Sequence, residues 1–315
     1  MDNQQLRAHI LSFSLDGGPR GNQGYTRVLL QLFGYNGHGK SSFINSCKYV
    51  IHEEEFIEHA EAGERQDHGA VTTIRKAYKL TENITLVDNR GYSKENNFQR
   101  AEIYAQLGNF IPIGEEVEWK KNYSEVMDKL EDADLDPNYS DFIVPILVHS
   151  VEHILPEEEK EEMKELIENC YKMTGIVPIV VITKRERGIV KNMKEMFRSL
   201  GAKEIIAIEN FTRQDHSPAQ GKTEDILKIL TKALECVTSS LNEERGPRAQ
   251  RVQRRKFLLN YIYQADLEQE KHKWRQEEEK KEEERKEEER RREESRWWWK
   301  LLTFWKRKYN TPANA

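Results

Sequence analysis

Cysteine is scarce in this 315-residue chain: Cys47, Cys170 and Cys236 are its only three. They are scattered, form no C-x-x-C pair and cannot complete an even-numbered framework, which argues against a disulfide-built scaffold. We read them as buried apolar thiols in a reducing compartment. Long apolar runs are missing as well. No 18-residue apolar stretch exists for a membrane helix, and the opening MDNQQLRAHILSFSLDGG lacks the basic region and apolar segment of a secretory leader. Nor is there an excess of positive charge. The net charge of −5 and a pI of about 6.1 favour no polyanionic partner, so nucleic acid is not expected. These absences predict a cytoplasmic protein that meets a membrane only peripherally.

What is present is unevenly spread. Charged residues make up 33% of the chain and the mean hydropathy is −0.85, yet composition is ordinary up to about residue 241. We divide the chain into an N-terminal segment (1–24), a globular domain (25–241), a basic linker with a charged single helix (242–296), and an aromatic, basic amphipathic tail (297–315).

The most informative stretch is YTRVLLQLFGYNGHGKSSFINSCK, residues 25–48. Its apolar opening suits one buried strand. Gly34-Tyr35-Asn36-Gly37-His38-Gly39-Lys40-Ser41 then satisfies G-x-x-x-x-G-K-[ST], and Ser42, Phe43, Ile44 and Asn45 read as the first turns of a helix. In that setting the glycines let backbone N–H groups face phosphate oxygens, helped by the positive end of the helix. Lys40 is expected to reach the β- and γ-phosphates and Ser41 to ligate Mg²⁺, with Ser42 completing the phosphate-binding set.

Downstream, a hairpin is expected from residues 71–80 and 84–87, its second strand ending in Asp88-Asn89-Arg90-Gly91, a D-x-x-G. There Asp88 would hold Mg²⁺ through water and the Gly91 N–H would meet the γ-phosphate. Thr72 or Thr73, with Thr73 preferred, would close over metal and phosphate. His52, His59 and His68 are irregularly spaced in an acidic stretch and read as solvated loop residues. Residues 92–140 read as a polar, irregular insertion with one helical patch, Ala101 to Leu107, and an acidic helix-like run, Ser124 to Ala133. A buried strand follows at 142–148, a helix from Pro156, and a strand at 176–182 leading into Thr183-Lys184-Arg185-Glu186. Guanine-selecting proteins use [NT]-K-x-D at such a place: the lysine stem packs on the base and the acid accepts its N–H groups. Here the acid is glutamate. A last strand, 204–208, ends at Glu209-Asn210, where a base-contacting loop would sit, and a helix over 223–241 closes the domain. This order predicts an α/β P-loop NTPase domain, three-layered with a mainly parallel sheet, binding its ligand at the carboxyl ends of the strands.

These residues resemble the interferon-inducible GTPases. GHGKSSFIN, the paired Thr72-Thr73 and the strand-borne D-x-x-G look like the immunity-related GTPases. IYAQLGNFIPIGEEVEW, residues 103–119, looks more like the interferon-induced protein 44 family. The resemblance covers about residues 25–241 and implies GTP/GDP binding in cell-autonomous defence, with dimerisation through the nucleotide face. Two features bear on hydrolysis. Tyr92 follows Gly91 where self-contained GTPases place a water-orienting glutamine, while Asn36 and Arg90 are candidates to serve the transition state, Arg90 in cis or across a dimer. An ATP-hydrolysing P-loop protein and a non-catalytic nucleotide-binding scaffold are the alternatives.

The remaining sequence is basic from Arg245 to Arg255, then apolar at Phe257-Leu258-Leu259, then almost wholly charged over 267–296. Acid–base pairs four apart, such as Glu282 with Lys286, and the lack of an apolar heptad seam predict a solvated single helix about 45 Å long. It runs into Trp297-Trp298-Trp299-Lys300-Leu301-Leu302-Thr303-Phe304-Trp305-Lys306-Arg307-Lys308, which suits an anionic membrane surface.

Overall fold

The structure, a computed structural model, describes residues 2–52, 55–61, 73–92, 97–117, 123–132, 138–217 and 220–309. They form one compact unit, residues 1–262, and a second unit from residue 263 onward.

The centre of the first unit is a six-stranded sheet in the order β2-β3-β1-β4-β5-β6. Its strands are β1 (Arg27–Phe33), β2 (Lys76–Lys79), β3 (Ile84–Asp88), β4 (Asp141–Ser150), β5 (Ile179–Thr183) and β6 (Ile205–Ala207). Only β2 runs antiparallel, forming the expected hairpin with β3; the other pairings are parallel. β3, β4 and β5 are buried along their whole length, as continuous apolar runs of a sheet covered on both faces should be. Pro145 lies within β4, where its missing N–H would normally break a ladder. It stands one residue before Ile146, where pairing with β5 begins.

On one face, Val28, Leu30 and Leu32 pack in a core with Phe43, Ile44 and Cys47 of α2 (Lys40–His52) and Ile226, Leu230 and Leu234 of α7 (Gln220–Ser240). The N-terminal segment joins this core. An Asp2–Gln5 capping box starts helix α1 (Asn3–Leu11), which buries Leu6 and Ile10 there. On the other face lie α3 (Asn97–Leu107) and α5 (Glu157–Thr174), joined by Arg100 to Glu165 at 2.7 Å and by Asn169 Nδ2 donating to the Tyr104 hydroxyl at 3.0 Å. α4 (Tyr123–Asp132) and α6 (Val190–Ser199) complete this α/β arrangement.

Three expectations change. Residues 97–117 are not merely polar and irregular: the helical patch expected at Ala101–Leu107 is the C-terminal part of α3, where Ala101, Tyr104, Ala105 and Leu107 are buried. β2 is shorter than the 71–80 reading, beginning at Lys76, and residues 71–72 lie outside the described set. The boundary expected at residue 241 moves to 262. α8 (Pro247–Tyr309) is one continuous 63-residue helix, but its first turns belong to the compact unit. Leu258 and Ile262 are fully buried, Arg251 stacks over the Tyr139 and Phe110 rings, and Arg254 Nη2 donates to the Tyr139 hydroxyl at 3.2 Å. The arginines read as a basic linker work here as flat, stackable side chains with long apolar stems.

A chain cut after Ile262 should therefore melt close to the full chain. One cut after Leu241 exposes the sites of Leu258 and Ile262, worth about 1.5–3 kcal/mol each. We expect its melting temperature to fall by about 10 °C or more in a thermal denaturation series.

Candidate functional site

The parallel strands deliver the predicted motifs to one edge of the sheet. β1 ends in the glycine-rich loop 34–39, β3 in Asp88, β5 in Thr183, and the chain leaving β6 carries Glu209 and Asn210. The loop's shape depends on Gly34. Its φ is +145°, and a Cβ there would collide with the Val148 carbonyl oxygen of β4, so no side chain fits. Gly37 and Gly39 also take positive φ, +73° and +89°.

Lys40 opens α2 and turns back beneath the loop. Its ammonium donates to the carbonyls of Gly34 at 3.0 Å and Tyr35 at 3.1 Å. Burial lowers its pKa from 10.5 to about 8, an effect that Asp88 partly offsets. Ser41 Oγ donates to Asp88 Oδ2 at 2.8 Å. Gly91 lies directly under this group: a Cβ on it would strike Asn36 Oδ1, the Asn36 backbone N and Lys40 Nζ. Asn36, Lys40, Ser41, Asp88 and Gly91 are thus brought together from two stretches of the chain, 36–41 and 88–91.

Two backbone contacts fasten the loop to the D-x-x-G. Asn36 N donates to the Tyr92 carbonyl at 2.8 Å, and Tyr92 N to the Gly34 carbonyl at 3.4 Å, making an isolated parallel bridge between Tyr35 and Tyr92. Their rings pack 4.6 Å apart and both side chains are buried.

The β5 side is tied in through Thr183, whose hydroxyl donates to the His38 carbonyl at 2.7 Å. Asn210 Nδ2 donates to the Gly39 carbonyl at 3.3 Å, and its Oδ1 accepts from Ser46 Oγ at 3.4 Å, so this amide braces the loop. Lys184, held in the left-handed region at φ +55°, pairs with Glu152 at 2.7 Å. Glu186 is exposed, and its backbone N–H donates to Glu209 Oε2 at 3.3 Å. Two carboxylates therefore flank this corner.

Other candidates stand apart. Arg90 Nη1 donates to the Val117 carbonyl, which occupies the guanidinium in the 108–117 segment. Thr73 accepts at its carbonyl from Val117 N at 2.9 Å, and among the described residues no hydrogen bond links its side chain to Ser41 or Asp88. Thr72 and His68 lie outside the described residues. Ser42 sits half-buried on the first turn of α2, its carbonyl accepting from Ser46 Oγ at 2.8 Å.

Two clusters went unread in the sequence. Arg75 is fully buried: Nε donates to Asn89 Oδ1 at 2.8 Å, and Nη2 to Gln31 Oε1 and Asn109 Oδ1, each at 3.2 Å. Asn89 Nδ2 in turn donates to Gln31 Oε1 at 2.9 Å. This network holds the segment before β2 against the D-x-x-G. Its one local signal was Gln31, a polar residue inside an apolar strand. The second cluster surrounds the Tyr35 ring, with the rings of His38, His149 and His153 at 5.1, 6.2 and 4.9 Å. His38 Nδ1 accepts from Ser150 N at 3.2 Å and the Tyr35 hydroxyl donates to Glu159 at 3.1 Å. Burial, then the neighbouring histidines, Lys40 and Lys184, push the His38 pKa from 6.5 down to about 2. Burial takes His149 to about 4.

Both histidines bind protons near pH 6.5 when unfolded and only far below that when folded. The unfolded state therefore gains protons first, and stability falls as pH drops below about 6.5, with a slope of up to about 2.7 kcal/mol per pH unit for two protons. His38→Asn keeps an oxygen to accept from Ser150 N. Urea unfolding followed against pH should show that variant's slope reduced by about one proton relative to the parent.

No protein-family model matches the chain, and no curated protein matches it.

Proposed function

We propose that the chain is a P-loop nucleotide-binding protein, a Mg²⁺-dependent guanine-nucleotide switch with slow intrinsic GTP hydrolysis. The observation that carries this reading is the convergence of Lys40, the Ser41–Asp88 pair, Asn36 and Gly91 beneath a loop in which three glycines take positive φ. A buried ammonium whose hydrogen bonds go to two backbone carbonyls is poised to gain from phosphate oxygens, and the N-terminus of α2 adds positive charge at the same place. The sheet order, with one antiparallel edge strand and every motif at the carboxyl ends, supports the same assignment.

The donor set fits magnesium. Ser41 and Asp88 offer a hydroxyl and a carboxylate, hard oxygens of the kind Mg²⁺ takes alongside phosphates and water. Ser41 and Asp88 would hold the ion, which would supply positive charge against the phosphates. This chain's own residues would do the rest: Lys40 binds phosphate, the loop N–H groups orient it, and Asn36 faces the γ-position. Guanine preference is supported by the acidic corner of Glu186 and Glu209, which suits the N1–H and N2–H donors of guanine and not the N1 acceptor of adenine. Slow hydrolysis is supported by Tyr92, whose ring is locked against Tyr35 instead of orienting water, and by Arg90, engaged with Val117. The resemblance to interferon-inducible GTPases supports a role in innate defence, with dimerisation through the nucleotide face as the step that supplies missing catalytic groups.

Binding of fluorescent GTP, GDP and ATP to the full chain with Mg²⁺ tests this. We expect guanine-selective binding, weakened about 100-fold or more in Lys40→Ala, since a buried charged contact is worth about 3 kcal/mol or more. ATP preference would assign the chain to the ATPases, and binding of neither would end the proposal. In single-turnover hydrolysis, Asn36→Ala should be slower than the parent; equal rates would remove Asn36 from the mechanism.

A further inference from the structure

The most conspicuous exposed apolar surface lies far along the sequence from the glycine-rich loop, in the last turns of α8. Trp297, Trp298, Trp299, Leu302, Phe304 and Trp305 are 56% to 69% exposed. Soluble surfaces rarely leave so many large apolar side chains contiguous, and such patches mark interaction sites. Helical spacing puts Trp298, Leu301, Leu302 and Trp305 along one side and Arg296, Lys300 and Thr303 along the other. Lys300 is flanked in sequence by Arg296 on one side and by Lys306, Arg307 and Lys308 on the other, and no acidic residue follows Glu294.

The preceding turns of the same helix are different. There glutamates are interleaved with the cations and pair with some of them, as in Glu282–Lys286 at 2.9 Å, Glu287–Arg291 at 2.9 Å and Glu288–Arg292 at 2.8 Å. Around the tryptophans the basic residues have no acidic neighbour in sequence. We propose that residues 296–308 form an interfacial helix that binds the surface of an anionic lipid bilayer. Tryptophan is favoured at the headgroup boundary, where its ring is buried and its N–H stays hydrated, and each nearby Lys or Arg strengthens binding to an anionic leaflet about fivefold. None of the described helices is long and apolar enough to cross a membrane, so the segment lies on the surface.

A second copy of the chain is a poorer occupant. The apolar residues spread too widely around the helix for an a/d seam, no seam exists in the charged turns before them, and parallel pairing would set like cations side by side.

The test is co-sedimentation of the full-length protein with phosphatidylcholine vesicles, alone or containing phosphatidylserine. We expect binding to the phosphatidylserine vesicles, weakened by salt and by about tenfold or more in Trp298→Ala/Trp305→Ala and in Lys300→Glu. These side chains are exposed, so the melting temperature should not change. Equal sedimentation of parent and variants overturns the proposal, as does absence of binding to phosphatidylserine vesicles. Tail-dependent dimers in light scattering, without vesicle binding, would assign the face to a second copy.

Discussion

A buried ammonium sets the terms for the site. Lys40 is enclosed beneath the loop, held by the carbonyls of Gly34 and Tyr35, and burial, partly offset by Asp88, lowers its pKa to about 8. Keeping a cation in such a place costs free energy, and nearby dipoles offset only part of it. The fold must therefore hold the loop firmly enough that the lysine does not simply escape to water. Gly34 is the first requirement, because only a residue without Cβ lets β1 turn so close to the β4 backbone. The Tyr35–Tyr92 bridge is the second, and Thr183 and Asn210 brace the far side.

That bracing is unequal, and the inequality bears on function. On the β5–β6 side the loop is gripped by side-chain hydrogen bonds to its carbonyls. On the β3 side it meets a segment that is itself part of a polar network, running from Gln31 through Asn89 and Arg75 to Asn109. Arg251 of α8 donates to the Asn109 carbonyl at 3.0 Å, which joins the base of the long helix to this same network. Residues around Asp88 and Gly91 are thus packed against elements that polar contacts, and not only apolar ones, hold in register. Networks of this kind are all-or-none: losing one member strands the others in low dielectric.

The glycine loop and most of the strand–helix order were legible in the sequence because they are local. G-x-x-x-x-G-K-S needs only its own eight residues, and the apolar runs of β1, β3, β4 and β5 need only both faces covered. What could not be read depends on partners distant in sequence. Arg75 looks like an ordinary charged residue beside a strand, and its burial is decided by Asn89, Asn109 and Gln31. The arginines of 247–255 resemble a basic linker until Tyr139 and Phe110 supply rings to stack on. The histidines around Tyr35 come from the loop, the end of β4 and the turn after it, so no spacing rule joins them.

Amide hydrogen exchange on the full chain, with and without Mg²⁺ and GTP, tests the central claim most directly. Nucleotide bound by the Lys40 loop should slow exchange at residues 34–42 and 88–92 together, since the loop and the D-x-x-G share backbone hydrogen bonds. Protection confined to other parts of the chain, or none at saturating nucleotide, would contradict the assignment of this edge as the phosphate site.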